Sequence, residues 1–315
     1  MGLDVTLVGL RVLREVAERG TFTAAAQALG YTQSAVSRQV AALEQAAGAR
    51  LFDRFPGGVR LTATGRALLR HAVTALAALD AADRELRGAR DEDGGGRVRV
   101  GCFPAAGAVL VARALAALRQ EHPRIQVTTR EGTTPSLVRA LRAGTLDLAL
   151  LTSRPPHRSP DTDDPPLRVA PLLEDRLVLA VPATGPGAAP FAGRAAVPAE
   201  LLAGETWIAG PAGHADEPGL GVWPGLPGRP RVQHAARDWL TRLHLVAAGA
   251  GITTVPSALE SALPPGVRLV AVDGVPEERR RVSLVRPPAA PATAATDAVV
   301  HALRRQAAQL ADRPR

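Results

Sequence analysis

Several kinds of residue are scarce or missing in this chain of 315 residues. It has a single cysteine, Cys102, and aromatic residues make up only 3% of it. Lysine and asparagine are absent, so arginine supplies all 38 basic side chains. One thiol cannot form a disulfide within the chain, which excludes a disulfide-rich secreted scaffold and favours a reducing compartment. With so few aromatic rings, any core must be built mainly from alanine, leucine and valine.

Longer patterns are missing as well. No uncharged apolar run reaches the roughly 18 to 20 residues of a membrane span, and the start of the chain does not resemble a signal peptide. The seven histidines are scattered without zinc-ligand spacing, and no nucleophile elbow or phosphate loop is present. We therefore expect a soluble, cytoplasmic protein that is not an enzyme and that needs no metal and no cofactor.

The charge balance is strongly basic, with a formal net charge of +8 and an isoelectric point of about 11.2. Such a balance favours polyanions, including nucleic acid. Residues 1–70 hold nine arginines and five acidic residues, which gives 9 − 5 = +4 for that part. Since the remainder carries the other +4, net charge does not locate a binding site, and local patterns must do so.

The first 62 residues have the pattern of a small helical domain. We predict a helix over 5–18, a second helix capped by Thr23, and a third helix over 33–45 capped by Thr32. Apolar residues of the third helix recur at spacings of four and three. The opposite face is polar and nearly uncharged, and it carries Gln33, Ser34, Ser37 and Arg38. Such a helix fits the major groove, where these side chains reach base edges.

A short hairpin with a Pro-Gly-Gly tip is predicted after the third helix. Arg54 and Arg60 flank this tip and are placed to touch DNA phosphates. Two alternatives stay open at this point. Arg54 is equally well placed to form an ion pair with Asp53 or Glu44, and Thr23 and Thr32 are better suited to capping helices than to contacting bases.

A family resemblance rests on many fixed positions of this region. They are Gly20–Ala26, Leu29, Thr32–Val40, Leu43–Glu44, Leu51–Arg54 and Leu61–Gly65. Together they resemble the DNA-binding domain of LysR-type transcriptional regulators over nearly all of residues 3–66. The resemblance implies an N-terminal all-α winged helix-turn-helix that binds double-stranded DNA, followed by a long linker helix. It also implies a C-terminal α/β two-lobed periplasmic-binding-protein-like effector domain.

The linker helix is predicted over 63–90 and carries a heptad seam. Its members are Leu68, Ala72, Ala75, Leu79, Ala82 and Leu86. An a/d seam on a helix that protrudes between two domains predicts a homodimer, although a small domain could also bury this stripe against itself. The resemblance leaves a homotetramer, and contact with RNA polymerase, open.

Beyond an acidic and glycine-rich break at 91–96, strand-like and helix-like runs alternate. The order βαβαβ over 97–152 predicts a parallel sheet with right-handed crossovers. Further strands are expected near 176–181, 206–209, 232–234, 252–255, 268–272 and 281–285, with helices over 237–248 and 293–311. We divide the chain into a DNA-binding domain (1–62), a linker helix (63–92) and an effector domain (93–315). Lobe I of the effector domain covers about 97–163 and 270–315, and lobe II about 164–269.

The resemblance implies that a small-molecule effector binds between the two lobes. The matching positions are Phe103, Pro104, Ala105, Ala106, Thr133, Thr134, Ser136, Thr152, Ser153, Gly210, Pro211, Arg237 and Asp238. Family members often have a serine or threonine in the first of these turns, where this chain has Pro-Ala-Ala. That departure favours a less polar effector or capture of an anion by an arginine.

Plainer roles compete with effector binding at several of these positions. Thr133, Thr134 and Ser136 lie at a helix start, where capping is an equally good explanation, and Arg237 could pair with Asp238. Cys102 has the pattern of an inert buried side chain, as Trp207 and Trp239 have that of packing residues.

Two other function classes remain open from the sequence. One is an enzyme that uses the lone Cys102 on a binding-protein fold, and the other is an extracytoplasmic solute-binding protein. DNA binding retained by residues 1–90 alone would separate a regulator from both.

Overall fold

The structure is a computed structural model that describes residues 4–86, 95–210, 221–224, 226, 230–275, 277–288 and 293–311. Within these ranges no helix is both long enough and apolar enough to cross a membrane.

The N-terminal domain is three short helices, a hairpin and a long helix. The elements are α1 (Leu7–Arg19), α2 (Phe22–Leu29), α3 (Gln33–Ala47), β1 (Phe52–Phe55), β2 (Gly58–Leu61) and α4 (Ala63–Leu86). A threonine side chain caps each of the first three helices by accepting from a backbone N–H of the first turn. The cap of α2 is Thr21 and not Thr23, which lies inside the helix, because Phe22 is already helical.

The core of this domain is made from one face of each helix. Val12, Leu13 and Val16 of α1 are completely buried, and Val36 and Leu43 of α3 pack into the same cluster. Leu69 and Ala72 of α4 belong to this cluster as well. The start of the long helix is therefore part of the N-terminal domain, beyond the predicted boundary at residue 62.

The C-terminal part of the chain alternates strands and helices as the sequence predicts. Its first elements are β3 (Gly96–Cys102), α5 (Pro104–Ala106), α6 (Ala112–Glu121), β4 (Ile125–Glu131), α7 (Thr134–Arg142) and β5 (Leu148–Ser153). They are followed by β6 (Arg168–Pro182), β7 (Ala196–Pro198), β8 (Thr206–Ala209), β9 (Arg231–Ala235), α8 (Trp239–Ala247), β10 (Thr253–Pro256), β11 (Val267–Asp273), β12 (Arg279–Arg286) and α9 (Ala294–Ala311). A π-helical turn, Gly107–Val111, joins α5 to α6.

The main sheet runs in the order β4-β3-β5-β12-β6-β11-β7, with β10 paired to β6. The strands β4, β3 and β5 are parallel, whereas β12 is antiparallel to both of its neighbours, so the sheet is mixed. The first half of β6 pairs with β12, and its second half pairs with β10 and β11. This strand therefore runs from one lobe into the other.

The strand β6 begins eight residues before the predicted start at 176. Most side chains of its first half are exposed or partly exposed, and only its second half is continuously buried. A search for a continuous apolar run detects the buried half of a strand and misses the half with one solvated side.

Candidate DNA-reading surface and effector cleft

The polar side of α3 faces away from the protein. The side chains of Gln33, Ser34 and Arg38 are exposed, and Ser37 is partly exposed. The Gln33 amide Nε2 donates to Ser37 Oγ at 3.0 Å, and Ser34 Oγ lies 3.0 Å from Thr32 Oγ1. Arg38 makes no hydrogen bond or ion pair with any residue that the structure describes. The predicted outward face is therefore present, and two hydrogen bonds link its neighbouring polar side chains.

Backbone capping fixes where this face begins. Thr32 accepts from the Ala35 N–H at 3.2 Å, as the sequence predicts for an N-cap. Thr23 is exposed in the first turn of α2 and is not the cap that the sequence predicts. Since Thr32 is engaged with its own helix, it is held at the edge of the α3 surface.

The hairpin of β1 and β2 forms a wing beside α3. The guanidinium carbon of Arg54 lies 5.2 Å from the centre of the Phe22 ring, and that of Arg60 lies 4.7 Å from the Phe55 ring. Glu44 accepts from the backbone N–H groups of Leu51 and Phe52. No ion pair joins Arg54 to Asp53 or Glu44 in the described part of the chain, so the first alternative for Arg54 does not hold.

A groove of about 480 Å³ separates α3 from the wing. Ser37 and Glu44 of α3 line one side, and Arg50, Asp53 and Arg54 line the other. One predicted base-contacting residue and one predicted phosphate-contacting residue therefore lie on the two sides of one concave surface.

The heptad seam of α4 is divided between two environments. Ala72 is 1% exposed in the core of its own domain, so it is not available to a partner helix as the sequence predicts. Leu68 packs partly against that core too. Ala75, Leu79 and Ala82 are exposed, with Leu79 at 47%. The side chain of Leu86 lies outside the described residues. A repeat of apolar positions identifies a buried stripe without saying which chain buries it.

Three predicted cleft segments of the first lobe meet at one edge of the sheet. The strands β3, β4 and β5 are parallel, and each is followed by one of these segments. The Gly132 N–H donates to the Cys102 carbonyl at 3.1 Å, which holds the first two turns side by side. This carboxyl edge of parallel strands is where α/β domains commonly bind ligands.

The side chains along this edge differ in how far they are exposed to a ligand. Ala105 and Ala106 are buried, whereas Phe103 and Pro104 are partly exposed. Thr133 is exposed, and Thr134, Thr152 and Ser153 are partly exposed. The Ser136 hydroxyl donates to the Thr133 carbonyl at 2.9 Å, and the Thr133 side chain caps no N–H of α7.

The second lobe contributes a smaller edge. The strands β8 and β9 are parallel, and the Ala236 N–H donates to the Ala209 carbonyl at 2.8 Å, so Gly210 and Arg237 follow adjacent strand ends. Asp238 caps α8 by accepting from the Thr241 N–H and hydroxyl, both at 2.7 Å. These bonds lower the pKa of Asp238. The Asp238 carboxylate is therefore engaged in capping its own helix. The predicted site residue Pro211 lies outside the described residues.

A charged pair that the sequence analysis missed lies beside the first turn. Arg280 of β12 is directly opposite Asp175 of β6 in the ladder that joins the two lobes. Its guanidinium carbon lies 5.3 Å from the centre of the Phe103 ring, and its buried Nε atom has no hydrogen-bond partner. Asp175 accepts from the Ser257 hydroxyl at 2.8 Å. Asp175 and Arg280 each stand in a run of charged residues, one position before the predicted strands at 176–181 and 281–285. The sequence therefore gives no sign that this pair is buried.

Burial changes the acidity of both groups. Desolvation lowers the pKa of Arg280 to about 10, which leaves it cationic at neutral pH. Desolvation also raises the pKa of Asp175, against the opposing effects of Ser257 and Arg280. Both groups line a cavity of about 10 Å³, whose other walls include Phe103, Ala105 and Ala106. That volume holds about one water molecule.

The lone cysteine is not in a reactive environment. Cys102 is 4% exposed at the end of β3, and burial, followed by the nearby Glu131 charge, raises its pKa to about 11. A thiol with such a pKa is a poor nucleophile at neutral pH. The Trp207 side chain is fully buried in the core of the second lobe. Trp239 packs partly against the core cluster that contains Val98 and Val100 of β3, so both tryptophans are packing residues.

No group of three or more histidine, cysteine, aspartate or glutamate side chains that could hold a metal ion is found within the described ranges.

Two family profiles match this chain over most of its length. Residues 7–66 match the "Bacterial regulatory helix-turn-helix protein, lysR family" profile, and residues 91–308 match the "LysR substrate binding domain" profile. These matches cover both the α3 surface with its wing and the two-lobed domain with its strand-edge cleft.

Similar proteins are known from two species of Mycobacterium and from Pseudomonas aeruginosa. A protein of Mycobacterium xenopi is 38% identical over 193 residues, covering 61% of this chain and 96% of that protein. A protein of Mycobacterium avium is 31% identical over 283 residues, covering 89% and 87%. Both are named as a probable hydrogen peroxide-inducible genes activator. A solved full-length OxyR variant of Pseudomonas aeruginosa has a TM-score of 0.62 at 21% identity, covering 96% of this chain and 95% of that one. This last likeness concerns the fold.

Proposed function

Since the chain belongs to the LysR family of bacterial regulatory helix-turn-helix proteins, we propose that it regulates transcription by reading duplex DNA with the exposed side of α3. In this proposal Gln33, Ser34, Ser37 and Arg38 contact base edges in the major groove. Arg54 and Arg60 of the wing contact phosphates, while Thr23 and Thr32 lie at the border of the contact surface. The single observation that carries the proposal is the exposed Arg38, which pairs with none of the described residues and lies among uncharged polar side chains.

A second part of the proposal concerns assembly. The exposed residues Ala75, Leu79 and Ala82 of α4 would pair with the same residues of a second copy. Two copies would then present two reading helices to a site with half-sites about one helical turn apart. Whether two such dimers join into a tetramer is decided by the mass in solution.

A third part concerns the effector, which we place between the lobes at the carboxyl edge of β3, β4 and β5. Arg280 is a cation beside the apolar Phe103, and Ala105 and Ala106 offer no hydroxyl to a polar group. The Asp175 carboxylate in the same cavity already accepts from the Ser257 hydroxyl and the Ala258 N–H. This combination favours a small organic anion with an apolar body. Because the cavity has room for about one water molecule, the lobes must separate before such a molecule enters.

Thiol chemistry is not part of the proposal, although two relatives are named for peroxide induction. The chain has one cysteine, so no second thiol of the same chain can resolve an oxidised one. Burial and the raised pKa of Cys102 make its thiolate scarce at neutral pH. We propose instead that a non-covalent ligand controls the protein in the cytoplasm, where its DNA target lies.

Capture of genomic fragments by the full-length chain tests the main proposal. We expect a few fragments to be enriched, to share a partly palindromic sequence and to be released by added salt. Fragments captured at low ionic strength without any shared sequence, or no capture at all, would contradict it.

A further inference from the structure

The DNA-binding domain is docked on the first lobe of its own chain through Glu18. This residue lies in the last turn of α1, and its side chain is only 3% exposed. Its carboxylate forms an ion pair with Arg130 of β4. Its backbone carbonyl accepts from Arg139 Nε of α7 at 2.9 Å. Both groups of one residue are thus held by the effector domain. The Arg130 side chain stays 38% exposed, so losing it would leave the buried Glu18 carboxylate without its partner and weaken the contact.

A second contact lies on α4. Gly144, just after α7, approaches the Val73 side chain so closely that an added Cβ atom would lie 2.3 Å from Val73 Cγ1. Gly144 also has a left-handed backbone, with a φ of +65°. Both facts require glycine at this position, so the helix and the lobe are fitted tightly to each other.

A third contact joins α4 to the loop after β5. Arg66 Nε lies 3.5 Å from Asp163 Oδ1, and Arg70 Nη1 donates weakly to the Asp164 carbonyl at 3.5 Å. The docked arrangement is therefore fixed at three separate points. None of these contacts uses α3, so docking orients the reading helix and leaves it exposed.

The elements that hold Glu18 are the same elements that border the proposed effector cleft. Arg130 precedes Thr133 by three residues, and α7 begins at Thr134 and carries Arg139 further along. The helix α7 has nine residues and is about 13 Å long. A ligand that contacts Thr133 or Ser136 would therefore act on the start of a short helix whose side chains contact Glu18.

We propose that α7 and the end of β4 couple the effector cleft to the DNA-binding domain of the same chain, with Glu18 as the latch between them. The proposal rests on the proposed effector cleft. A ligand that binds the docked and undocked forms with different affinity shifts the balance between them, and DNA must affect the cleft reciprocally. Glu18, Arg130 and Arg139 are positioning residues in this scheme.

Hydrogen exchange of the full-length chain tests the latch without any effector. For Glu18→Ala we expect amide exchange in α7 to become at least about five-fold faster, because local opening is no longer opposed by the contact. Glu15→Ala is the matched control on the same helix, since Glu15 pairs only with Arg19 of α1 at 3.4 Å among the described residues. The control is expected to leave exchange in α7 unchanged.

Arg130→Ala provides the same test from the other domain and does not alter the helical domain itself. It is expected to speed exchange at the end of α1, in residues outside its own lobe. Exchange in α7 for Glu18→Ala and in α1 for Arg130→Ala that both match wild type would overturn the latch.

Coupling is then tested with DNA as the probe, using the most strongly captured genomic fragment. In wild type the fragment should change exchange over residues 132–136 by at least about two-fold, and in Glu18→Ala it should bind without that change. Binding that leaves 132–136 unchanged in wild type would overturn the coupling. A fragment that does not bind would contradict the proposed function instead, while the comparison of the free variants still decides whether the latch exists.

Discussion

The α3 surface and the effector cleft place their polar groups in opposite environments. Gln33, Ser34 and Arg38 lie outside on one regular helix, whereas Arg280 and Asp175 face an apolar cavity from two different strands. Exposed groups exchange hydration water for contacts with a ligand at little cost in free energy, and each contact contributes modestly to binding. Buried charged groups have already lost their water, so their interactions with a ligand are stronger. The first arrangement suits many weak contacts along DNA, and the second suits one small ligand.

The largest effect is expected when the α3 surfaces of the two copies in a dimer are separated. Leu79→Glu places a charge in the exposed part of the α4 seam, so the dimer should dissociate. DNA affinity should then fall by about 10²- to 10⁴-fold, because two linked contacts become one. Light scattering reports the mass, and a gel shift reports the affinity.

Ala77→Glu is the matched control for this variant. Ala77 is exposed and lies two residues before Leu79, on nearly the opposite side of the helix. An unchanged mass for Leu79→Glu, or an equal loss for both variants, would contradict the proposed dimer.

The next largest effect is expected at Arg280, which lines the cavity of the effector cleft. Arg280→Met should weaken binding of organic anions found in a thermal-shift screen by about 10- to 150-fold, the value of a charge-assisted hydrogen bond. Calorimetric titration measures it. Arg281→Met is the control, because Arg281 is the next residue in the strand and pairs with Glu174 at 2.8 Å. Equal affinity in wild type and Arg280→Met would remove Arg280 from the site.

The wing should give a smaller and less specific effect. Arg54→Ala removes one proposed phosphate contact, so binding to all sequences should weaken together. The slope of log affinity against log salt should flatten by about one. Arg19→Ala is the control, since Arg19 is on α1 and pairs with Glu15. A loss confined to the specific sequence would show that Arg54 contacts bases.

The smallest effect is expected at the lone thiol. Cys102→Ala should leave DNA affinity, with and without hydrogen peroxide, as in wild type, because the buried thiol has a pKa of about 11. A gel shift with peroxide-treated protein measures this. A wild-type response to peroxide that disappears in Cys102→Ala would establish redox sensing and contradict the proposal.

The α3 surface and the effector cleft also differ in how far the sequence predicts them. The α3 surface was predictable because four polar residues share one side of a single periodic element. The pairing of Arg280 with Asp175 was not, because 105 positions separate them in the chain and a strand register joins them. Ala72 was misassigned because a heptad pattern does not distinguish a partner chain from the domain's own core. The cap of α2 was misplaced by two residues because Thr21 and Thr23 are equally suitable by type.

The interface around Glu18 carries no sequence signal at all. A glutamate in the last turn of an amphipathic helix is usually solvated, and only the fold brings it to Arg130 and Arg139. Contacts between domains depend on the arrangement of surfaces, and local periodicity does not report them.

The central claim is that the exposed side of α3 reads bases, and the ratio of affinities for a captured fragment and for random DNA tests it most directly. For Arg38→Ala we predict a loss of about 10- to 150-fold on the captured fragment, the value of a bidentate contact to a base, and a much smaller loss on random DNA. Equal losses on both kinds of DNA, with the variant still folded, would contradict the claim.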